Sequence, residues 1–315
     1  MDIEPRKPEL PPREAPAAAA KKAEIPVDLF DAFAKEGRSL IEVTWEQHRY
    51  HEQRRWSVEA MLDDVDCANM TESDRLHVWN AGRAELTTKP GADRIARLFD
   101  QECRRFQGVD DVLANVMQAC GTWSRYWNEE EAHHETSFNR LSVMLGLPKI
   151  SDATFIEYRK VFPDDNALRT LTLLAISEIT AAVNYGQASL LARDPGLRAL
   201  FKQVGADEIQ HMTYFTSFAR ALVASGRFHA KEVLSVAHFF LRDDGDLRGS
   251  RRSHVEARDT HVNWWDQVEF VEGVASPEAL ERKQSLVFGA VQKISGVTVR
   301  SAAEVEEAWM DLVGC

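Results

Sequence analysis

Two Glu-x-x-His sequences carry the clearest chemical signal in this chain: Glu131-Ala132-His133-His134 and Glu208-Ile209-Gln210-His211. Residues at i and i+3 of an α-helix share a face, so each sequence can turn one carboxylate and one imidazole toward a common point. That pairing of oxygen and nitrogen donors suits a divalent cation. A single Glu-x-x-His arises often by chance. Two of them on separate helices are a far more specific pattern, which one further glutamate from each of two other helices completes as a two-metal carboxylate site.

The first sequence can be read in two frames, because Glu130 and His133 also stand three apart. Glu131 and His134 share a stripe with Trp127, Phe138, Leu141 and Leu145, whereas Glu130 and His133 continue to Ser137 and Arg140. The apolar stripe selects Glu131 and His134 as the inward pair. Around the second sequence, Leu197, Phe201, Val204, Phe215, Phe218 and Leu222 flank Glu208 and His211. Charged groups on an apolar face are costly unless paired or bound to a cation.

Two more carboxylates are needed. Glu178 is the lone acid between Asp165 and Asp194 and falls on a stripe with Leu171, Leu174, Ala181 and Tyr185. Upstream, Glu85 and Glu102 both lie near an apolar stripe. Taking Gly108 as the turn between antiparallel helices, Glu131 stands 23 residues after it, Glu85 23 before it and Glu102 only 6 before it. Glu102 would miss Glu131 by roughly 25 Å at the helical rise, so Glu85 is the expected ligand. The same count about Gly196 leaves Glu178 and Glu208 offset by ~9 Å, which a staggered start must absorb. Two divalent ions neutralise the four carboxylates, which suits burial, and oxygen and nitrogen donors favour iron or manganese over thiolate-seeking metals.

The elements that would position these residues read as helices. Thr71 with Asp74 marks a start, and the run that follows is interrupted at Pro90-Gly91, where a kink is expected. Further runs extend from about Asp110 to Gly146, from Asp165 to Ala192 and from Pro195 to Val223, with shorter ones at Lys231–Leu241 and Pro277–Ile294. Four long helices in two turn-linked pairs predict an all-α bundle with additional helices. Five prolines before Glu24 predict a flexible arm over residues 1–24, ahead of one helical domain over 25–315. Arg242–Asn263 is polar and irregular.

Composition narrows the function. The chain has 315 residues and a formal net charge of −12, which argues against a nucleic-acid partner. No apolar run is long enough for a membrane span, and nothing directs export, so a cytoplasmic location with reduced thiols is expected. Cys67, Cys103, Cys120 and Cys315 lack zinc or disulfide spacing. His48 and His51, near Trp45 and Trp56, read as packing or surface residues, and His254 and His261 lack partners at ligand spacing.

Trp123-Ser-Arg-Tyr-Trp127-Asn-Glu-Glu-Glu-Ala-His-His134 resembles the W-x-x-x-W-x-x-E-E-x-x-H stretch of the soluble acyl-carrier-protein desaturases, and Ala206-Asp-Glu-Ile-Gln-His211 resembles their A-D-E-x-x-H stretch. The resemblance covers roughly residues 70–225. It implies a ferritin-like four-helix core and two iron ions, with manganese as an alternative in one position. Its two motifs fall on Glu131, His134, Glu208 and His211, which join Glu85 and Glu178 of the helix reading above as the expected ligands. It further implies hydrogen bonds from His211 to Glu130 and from His134 to Asp207. The expected activity is dioxygen-dependent desaturation of an acyl chain on acyl carrier protein, with a ferredoxin-type electron donor and a homodimeric assembly. Hydroxylation or N-oxygenation of a small molecule, and iron binding without catalysis, are the alternatives. Ala181 stands where plant-type members carry Thr, and no Glu-Glu precedes Pro90. Arg248, Arg251, Arg252 and Arg258 form a candidate cluster for a carrier phosphate, and Trp264, Trp265 and Phe270 suggest a substrate-side segment.

Overall fold

A computed structural model of the chain describes residues 28–85, 88–148, 166–241 and 276–314. The expected arm, the arginine cluster, His254, His261, Trp264, Trp265 and Phe270 lie outside the described residues. Among the described residues all regular structure is helical. Short helices α1 (Leu29–Ala34), α2 (Leu40–Glu52) and α3 (Val58–Asp63) lead through a 3-10 turn (Cys67–Asn69) into α4 (Glu72–Glu85) and α5 (Thr88–Phe106). Three long helices follow: α6 (Asp111–Met144), α7 (Ala167–Leu191) and α8 (Pro195–Ala224). α9 (Ala230–Leu241), α10 (Pro277–Ser295) and α11 (Ala302–Val313) follow among the described residues. No described helix is long and apolar enough to cross a membrane.

Local chemistry sets the helix starts. The Thr71 hydroxyl accepts the Asp74 N–H (3.1 Å), while the Asp74 carboxylate accepts the Thr71 N–H (2.9 Å). Asp110 accepts the N–H of Leu113 at the head of α6, and Asn166 accepts that of Arg169 at the head of α7. Asp194 accepts that of Leu197 at the head of α8, where Pro195 fills the first position without an N–H to leave unpaired. Gly108, at φ +74°, takes the left-handed turn between α5 and α6 that a side chain would resist.

α4 is described to Glu85 and α5 from Thr88, and residues 86–87 lie outside the described residues. Pro90, where a kink is expected, falls instead in the first turn of α5, where a missing N–H breaks no helical bond.

α4 and α5 pack on α6, and α7 packs along α8. One apolar cluster gathers Leu113, Met117 and Trp123 of α6 with Leu171 of α7 and Phe215 and Phe218 of α8. A second gathers Phe138 and Leu141 of α6 with Tyr185 and Ala188 of α7 and Leu197 and Phe201 of α8. The C-terminal ends of α6 and α7 thus meet the N-terminal end of α8, so α6 and α7 run parallel and α8 runs against both. Each fully buried Phe contributes roughly 1.5–3 kcal/mol. The Glu-x-x-His sequences fall between the two clusters, on helices packed into apolar surroundings on both sides of them.

Candidate metal centre

Buried stripes bring six expected side chains to one place. On α6, Glu131 and His134 are buried between Trp127 and Phe138, while His133 lies outward with its ring edge-on to Trp56. The inward frame is therefore Glu131 and His134. α7 contributes Glu178, α8 contributes Glu208 and His211, and α4 contributes Glu85, its last residue. All six are buried. Glu102 lies apart, within 3.3 Å of Arg105.

The ligating atoms form two overlapping groups. Glu85, Glu131, His134 and Glu208 offer one, and Glu131, Glu178, Glu208 and His211 the other, with the atoms of each group all within 4.8 Å of one another. Glu131 and Glu208 belong to both. Glu131 places Oε2 3.6 Å from His134 Nδ1 and Oε1 2.9 Å from His211 Nδ1. Glu208 does the same, with Oε1 3.4 Å from His134 Nδ1 and Oε2 3.0 Å from His211 Nδ1. Two carboxylates span two positions, and Glu85 with His134, or Glu178 with His211, closes each.

Both imidazoles turn Nδ1 inward and Nε2 outward. His211 Nε2 lies 2.8 Å from Glu130 Oε2, and His134 Nε2 lies 3.3 Å from Asp207 Oδ2. An acid that accepts the Nε2–H fixes the tautomer that leaves Nδ1 to a metal. Asp207 also accepts the indole N–H of Trp56 (2.8 Å) and a guanidinium N–H of Arg54. Glu130 is also bound by His51, whose Nδ1 lies 2.9 Å from Oε1. The Tyr185 hydroxyl donates to Glu85.

His51, Arg54 and Trp56 are contributors that the sequence did not reveal. His51 is buried and packs its ring on Tyr126, as the reading of packing rather than ligand expected, and it also meets Glu130. A signal was present: Val43, Gln47 and His51 form an i, i+4, i+8 line on α2, and all three are buried.

The donor set fits a divalent cation at each position. His134 Nδ1 and Glu131 Oε1 are buried and have no hydrogen-bond partner, although both point into the cluster. The His211 Nδ1 contact at hydrogen-bond geometry goes to Glu208, which leaves Glu131 Oε1 close but unbonded. A cation could supply the partner these atoms lack.

The electrostatics agree. Burial, reinforced by the charges of Glu131 and Glu208, pushes the Glu85 carboxyl well above the usual carboxylate range, and burial with Glu208 and Glu131 does the same to Glu178. Burial opposes ionisation of Glu131 as well, but His134 and His211 outweigh it and hold it low. Burial also raises Glu130, yet His211 and His51 bring it down to about 2. Burial disfavours charge on His134 and His211, and their carboxylate partners more than offset it, so both are raised. In the metal-free cluster, burial and neighbouring carboxylates thus favour the protonated forms of Glu85, Glu178, His134 and His211, and a bound cation would compete with those protons.

Comparison with protein-family models, with curated proteins and with solved structures returns no match to this chain. Its fold and site define a helical bundle whose buried Glu/His cluster could hold metal ions.

Proposed function

We propose that this chain is a ferritin-like di-iron oxidoreductase that activates dioxygen and desaturates an acyl chain carried on acyl carrier protein. The observation that carries the reading is the sharing of Glu131 and Glu208 between two buried ligand groups, each closed by one further Glu and one His. Parallel α6 and α7, followed by a tightly turned α8, match the single-crossover connectivity of ferritin-like bundles. Oxygen and nitrogen donors suit iron, with manganese as the alternative. Two ferrous ions held there supply the one-electron chemistry toward dioxygen and a C–H bond that protein side chains lack. The chain's own part is to hold the ions and to aim them. Glu130 and Asp207 keep Nε2 of each imidazole engaged, and Trp127, Phe138 and Phe215 surround the cluster with apolar surface. A ferredoxin-type protein serves as the electron donor.

Incubating iron-loaded protein with acyl carrier substrates, reductant and oxygen, followed by mass spectrometry, tests the activity. Loss of two hydrogens from the acyl chain is the expected result. Gain of an oxygen atom would instead make the protein a hydroxylase, and accumulated ferric mineral with unchanged substrate would make it a storage protein.

Metal uptake also has a pH signature. Glu85, Glu178, His134 and His211 all have raised values in the metal-free fold. Binding therefore releases protons near neutral pH, and affinity rises with pH. Calorimetric titration in buffers of different ionisation enthalpy measures the release. A buffer-independent heat, with affinity constant between about pH 6 and pH 8, would contradict the protonated cluster.

A further inference from the structure

We infer that His51 of the N-terminal helix α2 is a positioning residue for one half of the metal centre, acting on His211 through Glu130. The inference deepens the two-metal reading and rests on it. The bundle is α4 to α8, and α2 lies outside it against α6. α2 nevertheless buries a polar residue, His51, along with Val43 and Gln47. His51 is held on both sides. Its ring stacks on Tyr126 of α6 at 4.7 Å and 22°, and its Nε2 lies 3.4 Å from Glu129. Its Nδ1 lies 2.9 Å from Glu130 Oε1, and the other oxygen of that carboxylate meets His211 Nε2 at 2.8 Å.

The carboxylate geometry makes this link directional. Glu130 has one oxygen for each histidine, so its plane is fixed only while both contacts persist. Without His51, the side chain of Glu130 can rotate about its terminal bond, a broad and soft torsion. His211 then loses the acceptor that orients its ring, and Nδ1 no longer aims at the Glu131–Glu178–Glu208 group. His134 has a separate Nε2 acceptor, although it shares Glu131 and Glu208 with His211. That acceptor is Asp207, which Arg54, Trp56 and Gln203 hold, and none of these contacts passes through His51. The consequence is one-sided: His51 governs the imidazole of the position closed by Glu178 and His211, and leaves the imidazole of the position closed by Glu85 and His134 alone.

His51→Phe is the informative variant, because it keeps a ring against Tyr126 and removes both nitrogens. His51→Leu is read in the same way should His51→Phe not fold. Anaerobic Co(II) titration of the full chain, followed by visible absorption, reports the two positions as two equivalents. One equivalent is expected to weaken about tenfold and to change its absorption spectrum, while the other keeps the wild-type affinity. His51→Asn, which restores an N–H near Glu130, recovers most of that loss. A purely structural role would weaken both equivalents together or neither, and either outcome overturns the assignment. NMR of metal-free protein labelled with 15N-histidine separates this inference from the two-metal reading. If the wild type takes up no cobalt, the two-metal reading fails, and the His211 resonances alone decide. A shifted Nε2 resonance in His51→Phe upholds the positioning role, and an unchanged one ends it.

Discussion

Glu208→Ala abolishes uptake of both metal ions, whereas Glu178→Ala abolishes one. The difference follows from the sharing of carboxylates. Glu208 offers one oxygen to each ligand group, at 3.4 Å and 3.0 Å from the two histidine Nδ1 atoms, while Glu178 belongs to one group alone. Loss of a residue that only orients a ligand costs about 10–100-fold in metal affinity, so loss of a shared ligand costs more than that at both positions. Stability carries the same signature. A ligand present at a hundred times its dissociation constant stabilises the fold by about 2.7 kcal/mol, and Glu208→Gln removes that increment for either ion. Metal-free Glu208→Gln carries its own cost, because it removes a buried carboxylate paired with His134 and His211, so the stabilisation by added metal is compared within each protein. Metal content by elemental analysis and melting with and without added metal check both statements. A Glu208→Ala protein that still holds one ion would show that the two groups are not bridged as described.

Gly196→Ala destabilises the fold by about 3 kcal/mol or more, among the largest effects of a single added methyl group. Gly196 is the second residue of α8, where the chain running from α3 toward the 3-10 turn crosses it. A Cβ there would stand 2.1 Å from the Asp64 carbonyl oxygen, 2.5 Å from its carbon and 2.8 Å from Val65 N. These are backbone atoms, so no rotamer change relieves the clash. The same corner is tied by Asp194, whose buried carboxylate accepts the N–H of Leu197 (2.8 Å) and that of Asp66 (3.4 Å). Displacing the corner also loosens the segment that carries Trp56 to Asp207. Gly186→Ala in α7 is the matched control: a Cβ there meets nothing within 4 Å, so the variant should be neutral or up to about 1 kcal/mol more stable. Urea unfolding of the two variants beside the wild type measures the contrast, and equal midpoints would contradict the close approach.

Much of the site was legible because helix geometry converts spacing into facing. The apolar stripe through Trp127 and Phe138 chose Glu131 and His134 over Glu130 and His133, and burial divides the two pairs in that way. Counting turns from Gly108 chose Glu85 over Glu102, and Glu85 is the one that reaches the cluster. The ~9 Å offset expected between Glu178 and Glu208 came from taking Gly196 as the turn. Gly196 already lies inside α8, and the turn centres near Arg193, from which Glu178 and Glu208 are each 15 residues away. His51, Arg54 and Trp56 were hidden for a different reason. Their partners are 79 to 153 residues away in the chain, and periodicity within one helix says nothing about which distant carboxylate it will meet.

The most direct test of the central claim is anomalous diffraction from crystals of the protein loaded with ferrous or manganous ions. Two peaks about 3.5–4 Å apart are expected, both between Glu131 and Glu208, one beside Glu85 and His134 and the other beside Glu178 and His211. A cluster that remains free of metal under those conditions, or ions bound elsewhere on the chain, would contradict that claim.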